Sequence, residues 1–162
     1  MGNDVNVNIR EAEINESSEI LRLVQDAIVA NAGDHYSAEQ IRAWVSGFSE
    51  ESIILAIQHT KAFVAEMEGA VVGFGNVELS DLATARIHLL YVSSQNQRRG
   101  VGASLIQELE RQAMRAGKTS IEADASLQAY KLFLTVGYSA REQYLKKYNE
   151  IEFQNSWMER TI

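Results

Sequence analysis

Apolar residues along this chain recur at two spacings, and the switches between them predict its elements. Val5, Val7 and Ile9 alternate with polar neighbours, the two-residue period of a half-buried strand. From about Glu16 to Asn31 the spacing becomes helical. Ile20, Val24, Ala27 and Ile28 share a stripe there, and Gly33 lies just past the end. Ser37-Ala38-Glu39-Gln40 matches a capping box, and Ile41, Trp44, Val45 and Phe48 mark one face of a second helix. Ala62 to Met67 and Ala70 to Leu79 read as a hairpin turning at Glu68-Gly69. Gly73 and Gly75, inside its second strand, predict a bulge or the close passage of a ligand or backbone. Ala85 to Val92 reads as the next strand. Roughly Gly100 to Ala116 reads as a helix with Leu105, Ile106, Leu109, Ala113 and Met114 on one face and Gly117 at the left-handed cap position. Ser120 to Asp124 is a short strand, and Ser126 to Val136 a helix with Leu127, Tyr130, Phe133 and Leu134 as its stripe. Arg141 to Tyr148 and Ile151 to Met158 are strands turning at Asn149-Glu150.

The order is therefore strand, two helices, three strands, helix, strand, helix, two strands. It predicts an α/β mixed sheet with helices on both faces. No repeat, low-complexity tract or linker interrupts residues 1–162, so the chain reads as a single domain large enough for a real core.

Charge and rare residues narrow the chemistry. A net charge of −7 argues against a nucleic-acid partner, although a local basic spot such as Arg98-Arg99 can still bind phosphate. Cysteine is absent, which removes disulfides, thiolate metal sites and a cysteine nucleophile. His35, His59 and His88 have no metal-ligand spacing, so no metal is expected. The segment from Met1 to Arg10 has no apolar signal-peptide core, and no run approaches membrane-spanning length. No membrane association and a cytoplasmic location are the expectations.

The most informative stretch is Gln97-Arg98-Arg99-Gly100-Val101-Gly102-Ala103, a loop between a strand and a helix. The first N–H groups of a helix lack internal partners and carry partial positive charge. Two glycines permit close approach, and Arg98 and Arg99 add donors. The loop suits an anion such as phosphate; a tight turn with a solvated basic pair is the other reading. A Walker loop would need Gly-Lys-Ser/Thr, and a dinucleotide fingerprint a glycine where Leu105 stands, so both are excluded.

Gln97-x-x-Gly100-x-Gly102 resembles motif A of the GCN5-related N-acetyltransferases, and Leu89-Leu90-Tyr91-Val92 resembles the strand that precedes it in that family. Gly137-Tyr138, with Ala129 eight residues before, is similar to the family's ending of the last helix, and the element order agrees over essentially the whole chain. His35 to Trp44 and Ala123-Asp124-Ala125-Ser126 resemble a bacterial subgroup of small single-domain members.

The resemblance implies an acetyl-coenzyme A-dependent enzyme. The pyrophosphate would lie on Gln97, Arg98, Arg99, Gly100, Val101, Gly102 and Ala103. Main-chain groups of Leu90 and Val92 would line the pantetheine, and a strand N–H near Tyr91 would face the acetyl carbonyl. Ser126 would touch the pantetheine arm and Lys131 the 3′-phosphate, a solvated lysine being the alternative. His35 and Tyr36 would lie on the acceptor side, with Trp44 as core. An amine of pKa about 10.4 needs a base near neutral pH, and His88 and Glu78 are the candidates. Arg86 stands where some members carry a glutamate base. Phe133 stands where many carry a tyrosine that protonates the departing thiolate; Tyr130, one turn earlier, is the substitute.

The expected function is acetyl transfer to a primary amine of a small molecule or peptide, by direct attack in a ternary complex. A catalytically weak acyl-coenzyme A-binding module is the alternative, and an unrelated α/β nucleotide binder a third. A homodimer is compatible with either of the first two.

Overall fold

Seven strands form one sheet in the order β1-β2-β3-β4-β5-β7-β6. The computed structural model describes residues 6–162. The strands are β1 (Asn8–Glu11), β2 (Lys61–Met67), β3 (Ala70–Glu78), β4 (Thr84–Val92), β5 (Ser120–Ser126), β6 (Ser139–Tyr148) and β7 (Ile151–Thr161). The helices are α1 (Ser17–Asn31), α2 (Ala38–Ser46), α3 (Glu50–His59), α4 (Val101–Arg115) and α5 (Leu127–Thr135). All neighbouring strands pair antiparallel except β4 and β5, which are parallel. Val5, the outermost residue of the predicted first strand, lies outside the described residues. Among the described residues no helix is long and apolar enough to cross a membrane.

Each face of the sheet carries its own apolar core, as two-sided cover requires. One core joins Leu105, Ile106 and Leu109 of α4 and Phe133 of α5 to Ile87, Ile121 and Ala123 of the sheet. The other joins Ile20, Val24 and Ile28 of α1, Trp44 of α2 and Ile53 of α3 to Val64, Phe74 and Phe153.

Helix α3 is absent from the predicted order. Its apolar residues, Ile53 to Ile57, are contiguous and so hide the helical period, although Ile53 is fully buried and Leu55 is 47% exposed. Ser49 caps it, but the reciprocal partner is Ser52 rather than a glutamate or glutamine. The second predicted helix is shorter than expected, because α2 ends at Ser46 and Phe48 falls in the link. Met114 is 53% exposed rather than on the buried face of α4. On α5, Phe133 is buried while Leu127 and Leu134 are exposed.

The turn at Glu68 and Gly69 has positive φ at both residues (51° and 79°), which favours a tight hairpin. Irregularities of β3 pairing lie beside both glycines, between Gly73 and Val71 against β2 and between Asn76 and Val77 against β4, and the glycines also admit the side chains of α4. A Cβ on Gly73 would lie 3.0 Å from both Leu105 and Val101, and one on Gly75 3.3 Å from Leu109. Gly73→Val should therefore overpack the contact and lower stability by about 1–3 kcal/mol, read by urea denaturation.

Candidate active site

The parallel pair β4–β5 is short, and that decides where a ligand can enter. It runs only from Thr84↔Ser120 to Ile87↔Ala123. Beyond it β4 stays with β3 as far as Val92↔Gly73, while β5 stays with β7 as far as Ser126↔Asn155. The two strands part, and a cavity of about 270 Å³ opens between them.

The β4 wall of this gap presents main-chain groups. Leu89 and Ser93 direct their N–H groups toward β3, to Asn76 Oδ1 (2.8 Å) and the Val72 carbonyl (2.9 Å). Strand alternation therefore turns the main chain of Tyr91 toward β3 and those of Leu90 and Val92 toward the gap. The N–H groups facing the gap are those of Leu90 and Val92, not of Tyr91. The Val92 carbonyl accepts from Gln97 Nε2 (2.9 Å) and Asn31 Nδ2 (3.3 Å), which ties the following loop and α1 to the strand end.

One residue of β4 is bulged. Asn76 opposes Leu89 and Val77 opposes Ile87, leaving His88 without a partner. Buried Asn76 holds this irregularity, accepting from the Leu89 N–H and donating to Thr60 Oγ1 (3.1 Å). His88 lines the cavity, and its Nε2 lies 2.6 Å from Glu78 Oε2 on β3. Ser80 donates to the other oxygen of Glu78 (2.7 Å). Ser80 first and His88 second hold the Glu78 carboxyl below the usual carboxylate range. Structure thus brings together the two residues considered as base, with Glu78 behind the imidazole.

The loop that leads into α4 has left-handed residues at Arg98 (φ 59°) and Gly100 (φ 81°). The first helical bond of α4 runs from Ser104 N–H to the Gly100 carbonyl (2.9 Å), so the N–H groups of Val101, Gly102 and Ala103 have no helical acceptor. Gly100 is glycine for its conformation. Gly102 is glycine for packing, because a Cβ there would come within 2.7 Å of Leu132 on α5. Arg98 and Arg99 are exposed, and Arg99 donates to Asn96 Oδ1 (3.2 Å).

The opposite wall comes from α5. Its phase turns Ala129, Leu132 and Phe133 toward the cavity, residues that lie one turn apart on a helix. Tyr130 falls about 100° round the helix axis; it packs half-buried against the α4-side core and is not among the lining residues. Ser126 caps α5 by accepting from the Ala129 N–H (3.2 Å) and also lines the cavity. Lys131 is exposed.

Neither residue expected on the acceptor side reaches this cavity. His35 is exposed in the turn after α1. Tyr36 is buried against Trp44 and Phe153, its hydroxyl accepting from the Leu127 N–H (2.9 Å), and burial raises its pKa. It therefore fastens the start of α5. Trp44 is core, as expected, and it also lines the cavity and donates to the Tyr91 hydroxyl (3.1 Å).

Sequence reasoning missed Asp124, Lys146, Tyr148 and Asn155, which complete the lining. A carboxylate flanked by Ala123 and Ala125 at a strand end was the one local signal for the group. Burial works against the Asp124 carboxylate, but Lys146 and Asn155 outweigh it and hold its pKa below the usual range. A depressed folded pKa contributes stability above the unfolded value, near 3.9, and loses it as pH falls through the folded one. Urea titrations should therefore show a shallower loss of stability below about pH 4 in Asp124→Asn than in the wild type. Among the described residues no three His, Asp or Glu side chains gather as a metal site.

The pattern of the acetyltransferase (GNAT) domain family matches residues 32–159. The chain belongs to the GNAT acetyltransferase family. This GNAT protein is 25% identical over 153 residues to an uncharacterized N-acetyltransferase, YafP, of Escherichia coli K12, covering 94% of this chain and 91% of that one. A GCN5-related N-acetyltransferase from Rhodopseudomonas palustris superposes with a TM-score of 0.88 at 26% identity, over 96% of this chain and 95% of that one. The PaiA N-acetyltransferase of Thermoplasma acidophilum, solved with coenzyme A, shares the fold (TM-score 0.81, 16% identity, 97% and 99% covered). As a GNAT enzyme, the protein is an acetyl-coenzyme A-dependent acetyltransferase acting on an amine acceptor. Its residues fit that donor: unpaired helix N–H groups stand beside a strand edge with free main-chain groups.

Proposed function

We propose that this enzyme transfers acetyl directly to a primary amine of a small molecule or peptide, with both substrates bound together. The observation that carries the reading is the parting of β4 from β5 with His88, backed by Glu78, on the edge of the gap. Acetyl-coenzyme A supplies an acetyl group activated as a thioester. The N–H groups of Val101, Gly102 and Ala103 hold its diphosphate, with Gly100 shaping the loop and Gln97 fixing it to Val92. Arg98 and Arg99 add exposed positive charge, and Lys131 stands on the exposed side of α5 for the 3′-phosphate. Leu90 and Val92 orient the arm along the strand edge, with Ser126 across the gap. His88 removes the proton from the acceptor amine, and Glu78 holds the imidazole in place. The amine nitrogen bonds to the acetyl carbon, the carbon–sulfur bond of the thioester breaks, and the coenzyme A thiolate leaves and takes its proton from solvent.

The test is acetyl-coenzyme A-dependent formation of an amide product, read by mass spectrometry over an amine panel. Turnover of at least one amine supports the reading. Binding of acetyl-coenzyme A without transfer to any amine favours the weaker binding module, which Phe133 in the expected tyrosine position suggests. The placement of Tyr130 away from the gap bears on the same point. Tyr130→Phe should leave kcat within about twofold, whereas a general acid is worth about 10²–10⁴. A larger fall at unchanged acetyl-coenzyme A affinity would restore Tyr130 as the acid.

A further inference from the structure

At the β5–β7–β6 end of the cavity lies a polar group that the transfer step leaves without a role. Asp124, Lys146 and Asn155 line it together with Tyr148. The Asp124 side chain is 11% exposed, and both of its oxygens are engaged. Lys146 Nζ donates to Oδ2 (2.7 Å) and Asn155 Nδ2 to Oδ1 (2.9 Å). The Lys146 ammonium also lies 5.1 Å from the centre of the Tyr148 ring. Burial disfavours its charge, yet Asp124 keeps its pKa above the usual lysine value.

A donor count decides what such a group can bind. Lysine has three N–H donors and no acceptor, and an asparagine amide has two donors. After the bonds to Asp124, Lys146 retains donors for the cavity and Asn155 retains one. Among the described lining residues Asp124 is the sole carboxylate, and it is already bridged. An ammonium arriving there would have to displace Lys146 from Asp124. A carboxylate needs only to accept from what is free, and charge-assisted bonds are the stronger kind. The chain's net charge of −7 repels a net anion at long range but not a zwitterion.

We propose that Lys146, positioned by Asp124 and Asn155, anchors the carboxylate of the acceptor, which is a small amino carboxylate such as an α-amino acid. The inference rests on the acetyl-transfer reading, and supplies the substrate class for it. His88 lines the same cavity, and the proposal directs the amine toward its imidazole and the carboxylate to the Lys146 ammonium.

Initial rates of the wild-type enzyme with acetyl-coenzyme A, on α-amino acids and on the matching amines that lack the carboxylate, test it directly. The amino acids should be preferred in kcat/KM by about tenfold or more, the discrimination one charge-assisted hydrogen bond carries. In Lys146→Gln that preference should fall toward one through KM for the acceptor, with KM for acetyl-coenzyme A moving less than about twofold. Equal use of both series by the wild type overturns the proposal while leaving acetyl transfer intact, and this comparison does not depend on the variant folding. A preference that survives in Lys146→Gln also overturns it. No transfer to either series, with acetyl-coenzyme A bound, overturns this inference, and the transfer reading falls with it only when the whole amine panel also yields no product.

Discussion

Ala103→Glu should remove most of the affinity for acetyl-coenzyme A without lowering the melting temperature. Ala103 is the third residue of α4, half-buried beside the N–H groups that have no helical acceptor. A glutamate at that position is favourable to a helix, because its carboxylate meets the positive end of the dipole and the unpaired N–H groups. For the same reason it fills the place of the diphosphate and repels it. The expected fall in affinity is on the order of a hundredfold, about 2.7 kcal/mol, measured by isothermal titration calorimetry beside a thermal melt of the free protein. Unchanged affinity with the variant folded would remove this helix end from the donor site. Gly102 is a poorer place for the experiment, since Leu132 occupies the space its side chain would need and α4–α5 packing would suffer too.

His88→Gln should lower kcat by about 10²–10⁴, the range for a positioned base, while acetyl-coenzyme A binding is kept. Glutamine keeps a polar side chain on the bulge but cannot take up a proton near neutral pH. Glu78→Gln should cost less, since it leaves the imidazole in place and changes only the side chain that orients it. A pH series separates the two roles. The ascending limb of kcat against pH should vanish in His88→Gln and persist in Glu78→Gln, which keeps the imidazole. A profile identical to wild type in both variants would move the base elsewhere.

Residues with a strong local pattern made the fold legible. Helix α4 has a clean stripe, a glycine at its start and Gly117 (φ 76°) closing it, with Lys118 N–H returning to the Ala113 carbonyl (3.0 Å). Helix α3 has an unbroken apolar run and offered no phase to read. The proposed donor side of the site could be read from sequence because its groups belong to one contiguous loop. The proposed acceptor side could not, because Asp124, Lys146 and Asn155 come from three strands and meet only through the β5–β7–β6 order. His35 and Tyr36 were misleading neighbours in sequence: the turn that carries them faces solvent and the start of α5, whereas Trp44, one helix later, reaches the gap.

The missing side chains at Gly73 and Gly75 have a consequence for which thioesters the enzyme accepts. They let α4 rest directly on β3, so the separation between the start of that helix and the neighbouring edge of β4 is set by rigid, close-packed contacts. Two anchors at a fixed spacing act as a gauge of length. A donor long enough to touch both gains from each, whereas a truncated thioester lacking the nucleotide end engages only the strand. On the proposed donor site, the close packing beneath the helix should therefore favour a full-length acyl carrier over the short thioesters that share its reactive group.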